Sequence, residues 1–258
     1  MNQGNSAMRI SAFICALLLS AGSQALELDA TTEFASRFDL NSSVSGRVAR
    51  IPVSAGQRVG RGALLLVLDK SPFLAAVARA RATVMLKEPA VSLSEVQLER
   101  DQELFDRDSL SIMDLQRAKD NLLVARAELD HARSEMAIAE HALAQTELRA
   151  PSGGLVLEVH AQAGRYINTL VDDTTLITVV SDREMFARAD LSSSEWDPAL
   201  VGRPAIVTYR GREFEGKVSE IDFDGERRPE GTPVFALRVL FVASGQIPAN
   251  MPVKISIR

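Results

Sequence analysis

Through the middle of the chain, apolar residues return at helical spacing. Val77, Val84, Val91, Leu98 and Phe105 recur every seven residues. Further on, Leu115, Ala118, Leu122, Ala125, Leu129, Ala132, Met136, Ala139 and Leu143 alternate steps of three and four. A stripe sustained over four heptads predicts a coiled coil, and alanine at every second position of the later stripe permits close approach of a partner helix. No glycine interrupts the span between Gly62 and Gly153, although the chain has 15 of them. Ser71-Pro72 reads as an N-cap followed by proline at the first helical position, so a first helix is expected from there to about Asp108. Pro89 lies inside it and should kink it or break it in two, because proline lacks the backbone donor and its ring clashes with the preceding turn. Ser111-Ile112-Met113-Asp114 has the form of a capping box in which Asp replaces the usual Glu. It opens a second helix expected to reach about Glu147. With only Ser109 and Leu110 between them, the helices predict an antiparallel hairpin over 71–147, with arms about 50 Å long. Glu103 with Arg107 and Arg126 with Asp130 stand at i,i+4 and should help to solvate the outer faces.

On either side of this span the period falls to two, and the two flanks copy each other. Adding 108 to the residue number takes Gly46 to Gly154, Val48 to Val156, Ile51 to Val159, Gly56 to Gly164 and Val59 to Ile167 without a gap. Each copy then ends in an apolar run, 64–68 in the first and 176–180 in the second, after a small insertion. Neither copy is long enough to be a domain, and repeated units bury their apolar faces by packing together. Residues 44–70 and 148–181 are therefore expected to be the two halves of one small β-domain. Alternation around Val44, Gly46 and Val48 suits half-buried strands, and the glycines suit positive-φ turns.

The remainder, 182–258, is all-β by pattern. Runs at 205–209, 214–221, 234–241 and 253–257 read as strands, with turn signals at Gly211, Asp224-Gly225 and 248–250. Short strands with regular turns predict a small barrel. The stretch 26–43 is expected to supply a strand that joins this barrel or leads into the β-domain.

Composition narrows the possible functions. A formal charge of -5 on 258 residues leaves no basic excess to neutralise phosphates, which argues against nucleic acid as the main partner. At the N-terminus Arg9 precedes an apolar run at 10–19, and Ser23-Gln24-Ala25 offers the small residues a signal peptidase reads, so 1–25 is expected to be a cleaved export signal. The single cysteine, Cys15, follows Phe13-Ile14 rather than the small residues of a lipoprotein site, so no lipid anchor is expected. The mature chain would then hold no thiolate nucleophile or cysteine-ligated metal. His131 and His141 stand ten residues apart on the second helix, about 15 Å, too far to share a metal, and His160 lies elsewhere. Asp172-Asp173 reads as a solvated turn and Trp196 as a core or barrel-edge residue. With no phosphate loop or nucleophile elbow, there is no catalytic constellation, and neither metal nor cofactor is expected.

A split β-domain with a helical hairpin between its halves resembles the periplasmic adaptor subunits, or membrane fusion proteins of the HlyD-like family, of RND-type tripartite efflux pumps. Thr146-Glu147-Leu148-Arg149-Ala150-Pro151 resembles the family's stretch at the end of the second helix, and Val156 and 164–167 look like the following strand and turn. Residues 202–207 and 248–253 resemble two turns of the family's barrel, with Asn250 where glycine is usual; Asn tolerates the left-handed conformation well. The resemblance covers about 43–258. It implies an α+β multidomain fold, in which a long antiparallel α-helical coiled-coil hairpin is inserted into a split biotinyl/lipoyl-like β-domain and followed by a small β-barrel domain. RND-type adaptors often add a membrane-proximal domain; none is read here, so contact with a transporter is expected through the barrel and β-domain or through a second adaptor.

Members that dock onto a TolC-type outer-membrane channel often carry an arginine, a leucine four residues later and a serine seven after that. Arg100, Leu104 and Ser111 satisfy both spacings at the expected hairpin tip. Arginine offers a fork of donors to carbonyls or carboxylates, leucine an apolar contact and serine a cap and a hydrogen bond. On the residues alone, Arg100 reads equally as a solvated charge, Leu104 as a seal of the hairpin end and Ser111 as a plain N-cap. The resemblance implies a non-enzymatic periplasmic connector between an inner-membrane exporter, of RND type, and a TolC-like channel, with six copies forming a funnel for small-molecule efflux. Two other readings stay open. Lys70, in Asp69-Lys70-Ser71, sits near the place where a lipoyl or biotinyl carrier of an enzyme complex bears its modified lysine; and the hairpin fits a coiled-coil scaffold unrelated to transport.

Overall fold

The computed structural model describes residues 26–171, 174–227, 232–243 and 247–257. The expected export signal, with Cys15, and the Asp172-Asp173 pair lie outside the described residues. In chain order come β1 (Leu26–Phe34), β2 (Arg37–Leu40), β3 (Gly46–Arg50), β4 (Arg58–Val59), β5 (Leu64–Leu68), then helices α1 (Ser71–Asp106) and α2 (Ile112–Ala144). There follow β6 (Glu147–Arg149), β7 (Gly154–Val159), β8 (Tyr166–Ile167), β9 (Ile177–Val180), β10 (Glu184–Ser192), β11 (Pro204–Tyr209), β12 (Arg212–Ile221), β13 (Glu226–Arg227), β14 (Pro233–Val242) and β15 (Pro252–Ile257). The chain divides into two compact units, one of 37–181 and one joining the N-terminal strand to 182–258. The stretch 26–43 is shared between them: β1 pairs with β10 and β15, whereas β2 pairs with β9.

In the first unit the two copies interleave. Two four-stranded sheets form, in the orders β2-β9-β7-β4 and β6-β5-β3-β8, so each sheet takes strands from both copies, and β2, just ahead of the first copy, completes one of them. The exchange is reciprocal to the residue. Arg58 faces Leu155 and Val59 faces Gly154, while Tyr166 faces Arg47 and Ile167 faces Gly46. Hydrogen bonds repeat with the same offset: Gly56 N donates to the Val156 carbonyl and Gly164 N to the Val48 carbonyl, both at 2.8 Å. Gly56 (φ 82°) and Gly164 (φ 85°) take the left-handed turn conformation that glycine adopts at little cost. Val48, Leu65, Val156, Ile177 and Val179, all essentially inaccessible, fill the core between the sheets.

The helical arms leave this unit between β5 and β6, which pair with each other. Both roots are therefore neighbours in one sheet, tied by Leu68 N donating to the Thr146 carbonyl at 2.9 Å. The seams face each other as their periods require: Val77, Val84, Leu115, Ala118, Leu122, Leu129 and Ala132 are buried. Arg81–Glu140, Glu88–Arg133 and Glu95–Arg126 form ion pairs across the hairpin, stepping down one arm by seven as they step up the other, so the arms are antiparallel in fixed register. Lys87–Glu128 adds a further cross-link at 2.8 Å.

Several boundaries differ from the sequence reading. Pro89 does not break α1, which runs as one 36-residue helix; Pro89 is exposed, and Val84 and Val91 on either side are held in the seam, so packing offsets the missing backbone bond. Ser71 is the first helical residue and not the cap, because the Asp69 carboxylate takes that part, accepting from Ser71 N at 3.0 Å and Ser71 Oγ at 2.7 Å. α1 stops at Asp106, so five residues and not two join the arms. α2 stops at Ala144, since Glu147 already pairs with Val67 as a strand. Arg126 contacts Glu95 at 2.8 Å across the hairpin in place of Asp130, whereas Glu103 and Arg107 do lie 3.9 Å apart.

In the second unit, strands run in the order β10-β1-β15-β11-β12-β14, and β14 pairs back onto β10. A closed six-stranded barrel results, with β13 paired onto the start of β14; closure removes the exposed sheet edges that invite aggregation. Met185, Ala187, Ala189 and Leu191 of β10 and Val253, Ile255 and Ile257 of β15 alternate inward. The strands expected at 205–209, 214–221, 234–241 and 253–257 fall within β11, β12, β14 and β15. Asn250 adopts φ 61° in the turn before β15, and Trp196 packs partly buried on the barrel core, its indole N–H donating to the Asp222 carbonyl at 3.1 Å.

Candidate docking site

The hairpin tip is built by two opposed caps. At the end of α1, Asp108 takes a left-handed conformation (φ 53°), one that Asp and Asn tolerate better than other side chains. Asp108 N donates to the Phe105 carbonyl at 2.9 Å and Ser109 N to the Leu104 carbonyl at 2.8 Å, the paired bonds of a Schellman turn that satisfy the last free carbonyls of a helix. At the start of α2, Ser111 Oγ accepts from Asp114 N at 3.2 Å and donates to Asp114 Oδ2 at 2.6 Å. Asp114 in turn meets Arg117 at 3.0 Å and lies in the first turn, where a negative charge complements the helix dipole.

Arg100 and Leu104 stand one turn apart on the same side of α1. Arg100 is exposed and points away from the seam that holds Leu98. Leu104 keeps 38% of its surface exposed while its carbonyl anchors the turn. Ser111 lies on the other arm, across the turn folded onto Leu104, and its hydroxyl is engaged by Asp114; one lone pair is left for a partner. Beside these, Ile112 and Met113 are 62% and 71% exposed. The sequence reading named both only as the interior of the capping box and gave them no docking role, although two apolar residues ahead of the seam's first leucine were the available signal. The tip thus presents Leu104, Ile112 and Met113 as exposed apolar side chains, with Arg100 exposed one turn back along α1.

The root of the hairpin has different chemistry. The Lys70 ammonium contacts Glu147 Oε1, and Arg149 Nε reaches Glu147 Oε2 at 3.1 Å. Hydrogen bonds from Lys70 first and Arg149 second hold the Glu147 carboxyl below its ordinary 4.5. A carboxyl with a lowered folded-state pKa adds stability that is complete above the ordinary value and is lost as pH falls through the lowered one. The stability difference between the wild type and Glu147→Gln is therefore expected to shrink from about pH 6 to about pH 3 in denaturant unfolding; a constant difference would mean that the pair contributes nothing. Lys70 is thus held within a structural contact.

Among the described residues no three His, Cys, Asp or Glu side chains are placed to hold a metal ion. His131 and His141 are exposed on α2, and His160 meets Glu158 at 3.0 Å. No helix among these residues is long and apolar enough to cross a membrane.

A helical hairpin carried between the reciprocal halves of a β-sandwich, with a separate barrel, defines the membrane fusion proteins, a class of non-enzymatic adaptors. Within it, the chain belongs to the family of the CzcB-like barrel-sandwich hybrid domain, whose profile matches residues 38–182. It is 27% identical over 189 residues to the protein YdhJ of Escherichia coli (strain K12), covering 72% of this chain and 65% of that one. It is also 27% identical over 202 residues to the nodulation protein NolF of Rhizobium meliloti (strain 1021), covering 77% and 54%. The chain thus spans less than two thirds of the length of these two relatives. The membrane fusion protein Spr0693 from Streptococcus pneumoniae R6 shares the fold, with a TM-score of 0.69 at 18% identity, over 90% of this chain and 98% of that one.

Proposed function

We propose that this protein is a periplasmic adaptor in efflux, joining an inner-membrane exporter of RND type to a TolC-like outer-membrane channel. The observation that carries the reading is the hairpin itself: two arms rooted in adjacent strands and clamped by a ladder of ion pairs, ending in an exposed cluster at Arg100 and Leu104. Such an element reaches about 50 Å from its root, which suits a connector. Arg100 would supply donors to carbonyls or carboxylates on the channel, Leu104 an apolar contact, and Ser111 the cap that fixes the approach of the second arm. The chain is exported by a cleaved signal at 1–25. Six copies assemble into a funnel whose barrels or β-domains meet the transporter, directly or through a second adaptor.

The test is crosslinking in intact cells, followed by purification of the tagged full chain from envelopes and identification of what is joined to it. An RND-type transporter and a TolC-like channel are expected. Recovery of neither would sink the reading and favour a scaffold role.

A further inference from the structure

Two aromatic residues of the barrel stand between carboxylates in the sequence, Glu195-Trp196-Asp197 and Asp222-Phe223-Asp224. The fold brings the two triplets together at the end of the barrel where β10 and β12 run out. There the rings of Trp196 and Phe223 meet edge to face, 5.5 Å apart at 80°. Trp196 is held in place by its indole N–H on the Asp222 carbonyl and by the Phe235 ring, 5.8 Å away. The turn after Phe223 is drawn in tightly, since a methyl group on Gly225 would come within 2.9 Å of Phe235 Cε1. Phe223 therefore rests on a fixed ring and yet is 72% exposed, which leaves most of its apolar surface in water. Of the four carboxylates, only Asp222 reaches a basic side chain among the described residues: Arg238 at 3.9 Å, which also serves Glu220 and Glu33. Asp197 accepts from Ala199 N at 2.8 Å, and Asp224 is exposed. The Ser192 hydroxyl first and its backbone N–H second hold the Glu195 carboxyl below its ordinary range, and so ionised.

We infer that this aromatic pair is a docking surface for an arginine side chain of a protein partner, with the guanidinium lying on the exposed ring of Phe223 and bonded to the carboxylates beside it. The charge of the patch selects the occupant. Glu195, Asp197 and Asp224 would repel an anionic lipid surface, so the exposed ring is not a membrane anchor. A small organic cation needs a concave site that encloses it, whereas Phe223 stands out from the barrel. A cation carried on a protein surface meets both conditions, because the rest of that surface covers the ring. Arginine suits the patch better than lysine: its planar fork stacks on an aromatic face and reaches a carboxylate through two parallel bonds. The rings supply the attraction between cation and π-face, and the carboxylates supply a charge that salt screens. The inference rests on the adaptor reading for the bearer of the arginine, the exporter. Its chemistry rests on the barrel alone.

Trp196, the chain's one tryptophan, reports on the site directly. The purified full chain is titrated with a capped tetrapeptide of alternating leucine and arginine, with the same peptide carrying neutral citrulline for arginine, and with tetramethylammonium, while tryptophan emission is followed. A saturable change is expected with the arginine peptide, weakening as salt is raised, and none with the citrulline peptide. Phe223→Leu, which keeps an apolar side chain but removes the π-face, is expected to weaken the response about two- to fivefold, with an unchanged circular dichroism spectrum. Asp224→Asn is expected to weaken it as well. No response, equal responses to the two peptides, or variants that bind as the wild type does would overturn the site. An equal response to tetramethylammonium would assign it to free cations and overturn the protein partner. In cells, the double variant Phe223→Leu with Asp224→Asn is expected to lose crosslinks to the exporter and keep those to the channel; undiminished exporter crosslinks would overturn the bearer. The wild type in the same experiment tests the adaptor reading separately, since it must recover exporter and channel whatever the peptides show.

Discussion

Gly154→Ala is expected to destabilise the hybrid domain by about 3 kcal/mol or more, whereas Gly46→Ala, at the equivalent place in the other copy, should cost no more than about 1.5 kcal/mol. A methyl group on Gly154 would lie 2.1 Å from the Val180 carbonyl oxygen and 3.3 Å from Val179 Cγ1. The first contact is with the backbone of β9, which is paired to β7 and cannot swing aside, so the sheet itself must shift. At Gly46 the nearest atom is Leu68 Cδ1 at 3.3 Å, the end of a side chain and not backbone, so a shift of a few tenths of an ångström relieves the contact. The repeat is reciprocal in its pairing but not in its packing. Hydrogen exchange of the β7 and β9 amides measures the difference, with Trp196, the chain's one tryptophan, reporting on the barrel as an internal control. Equal losses in the two variants would show that the close approach at Gly154 has no energetic weight.

Leu104→Glu is expected to abolish copurification with the channel while leaving the fold unchanged. The residue's structural duty belongs to its main chain, since its carbonyl receives Ser109 N, and the side chain is already partly in solvent. Glutamate can therefore occupy the site in the free protein at little cost. In a docked complex it would bury a charge in an apolar contact, a change of the kind that costs 2–4 kcal/mol at the centre of an interface, or roughly 30- to 1,000-fold in affinity. Circular dichroism should match the wild type. Undiminished recovery of the channel would remove Leu104 from the docking surface and leave it as a seal on the hairpin end.

The sequence disclosed most where periodicity was long. The seams of α1 and α2 repeat over four or more heptads, and each of their predicted positions is buried or half-buried. The repeat of 108 residues disclosed β3, β4, β7 and β8 as equivalents because glycine turns and apolar positions coincide. It did not disclose that β2 and β6 are equivalent as well, since these short edge strands share only Leu40 with Leu148, too little to stand out as a repeat. Helix ends were misplaced where a tertiary contact decided them: propensity carries α2 onward to Glu147, but pairing with β5 ends it three residues earlier. β10 escaped notice because two of its four inward positions are alanines, Ala187 and Ala189, which give a weak alternating signal although the strand is central to the barrel. At the tip, the spacing of Arg100, Leu104 and Ser111 was legible through family resemblance. Ile112 and Met113 were not, because the capping box drew the reading to its polar ends.

The ladder of Arg81–Glu140, Glu88–Arg133 and Glu95–Arg126 advances by seven residues per rung on both arms. Adding or deleting one heptad in each arm at the same rung would leave the root, the turn and all remaining rungs in their present relations, while moving the tip by about 10.5 Å. The hairpin is in this respect a ruler with a fixed graduation. Descendants of one ancestral chain can be fitted to cell envelopes of different width in whole increments, without redesigning either end.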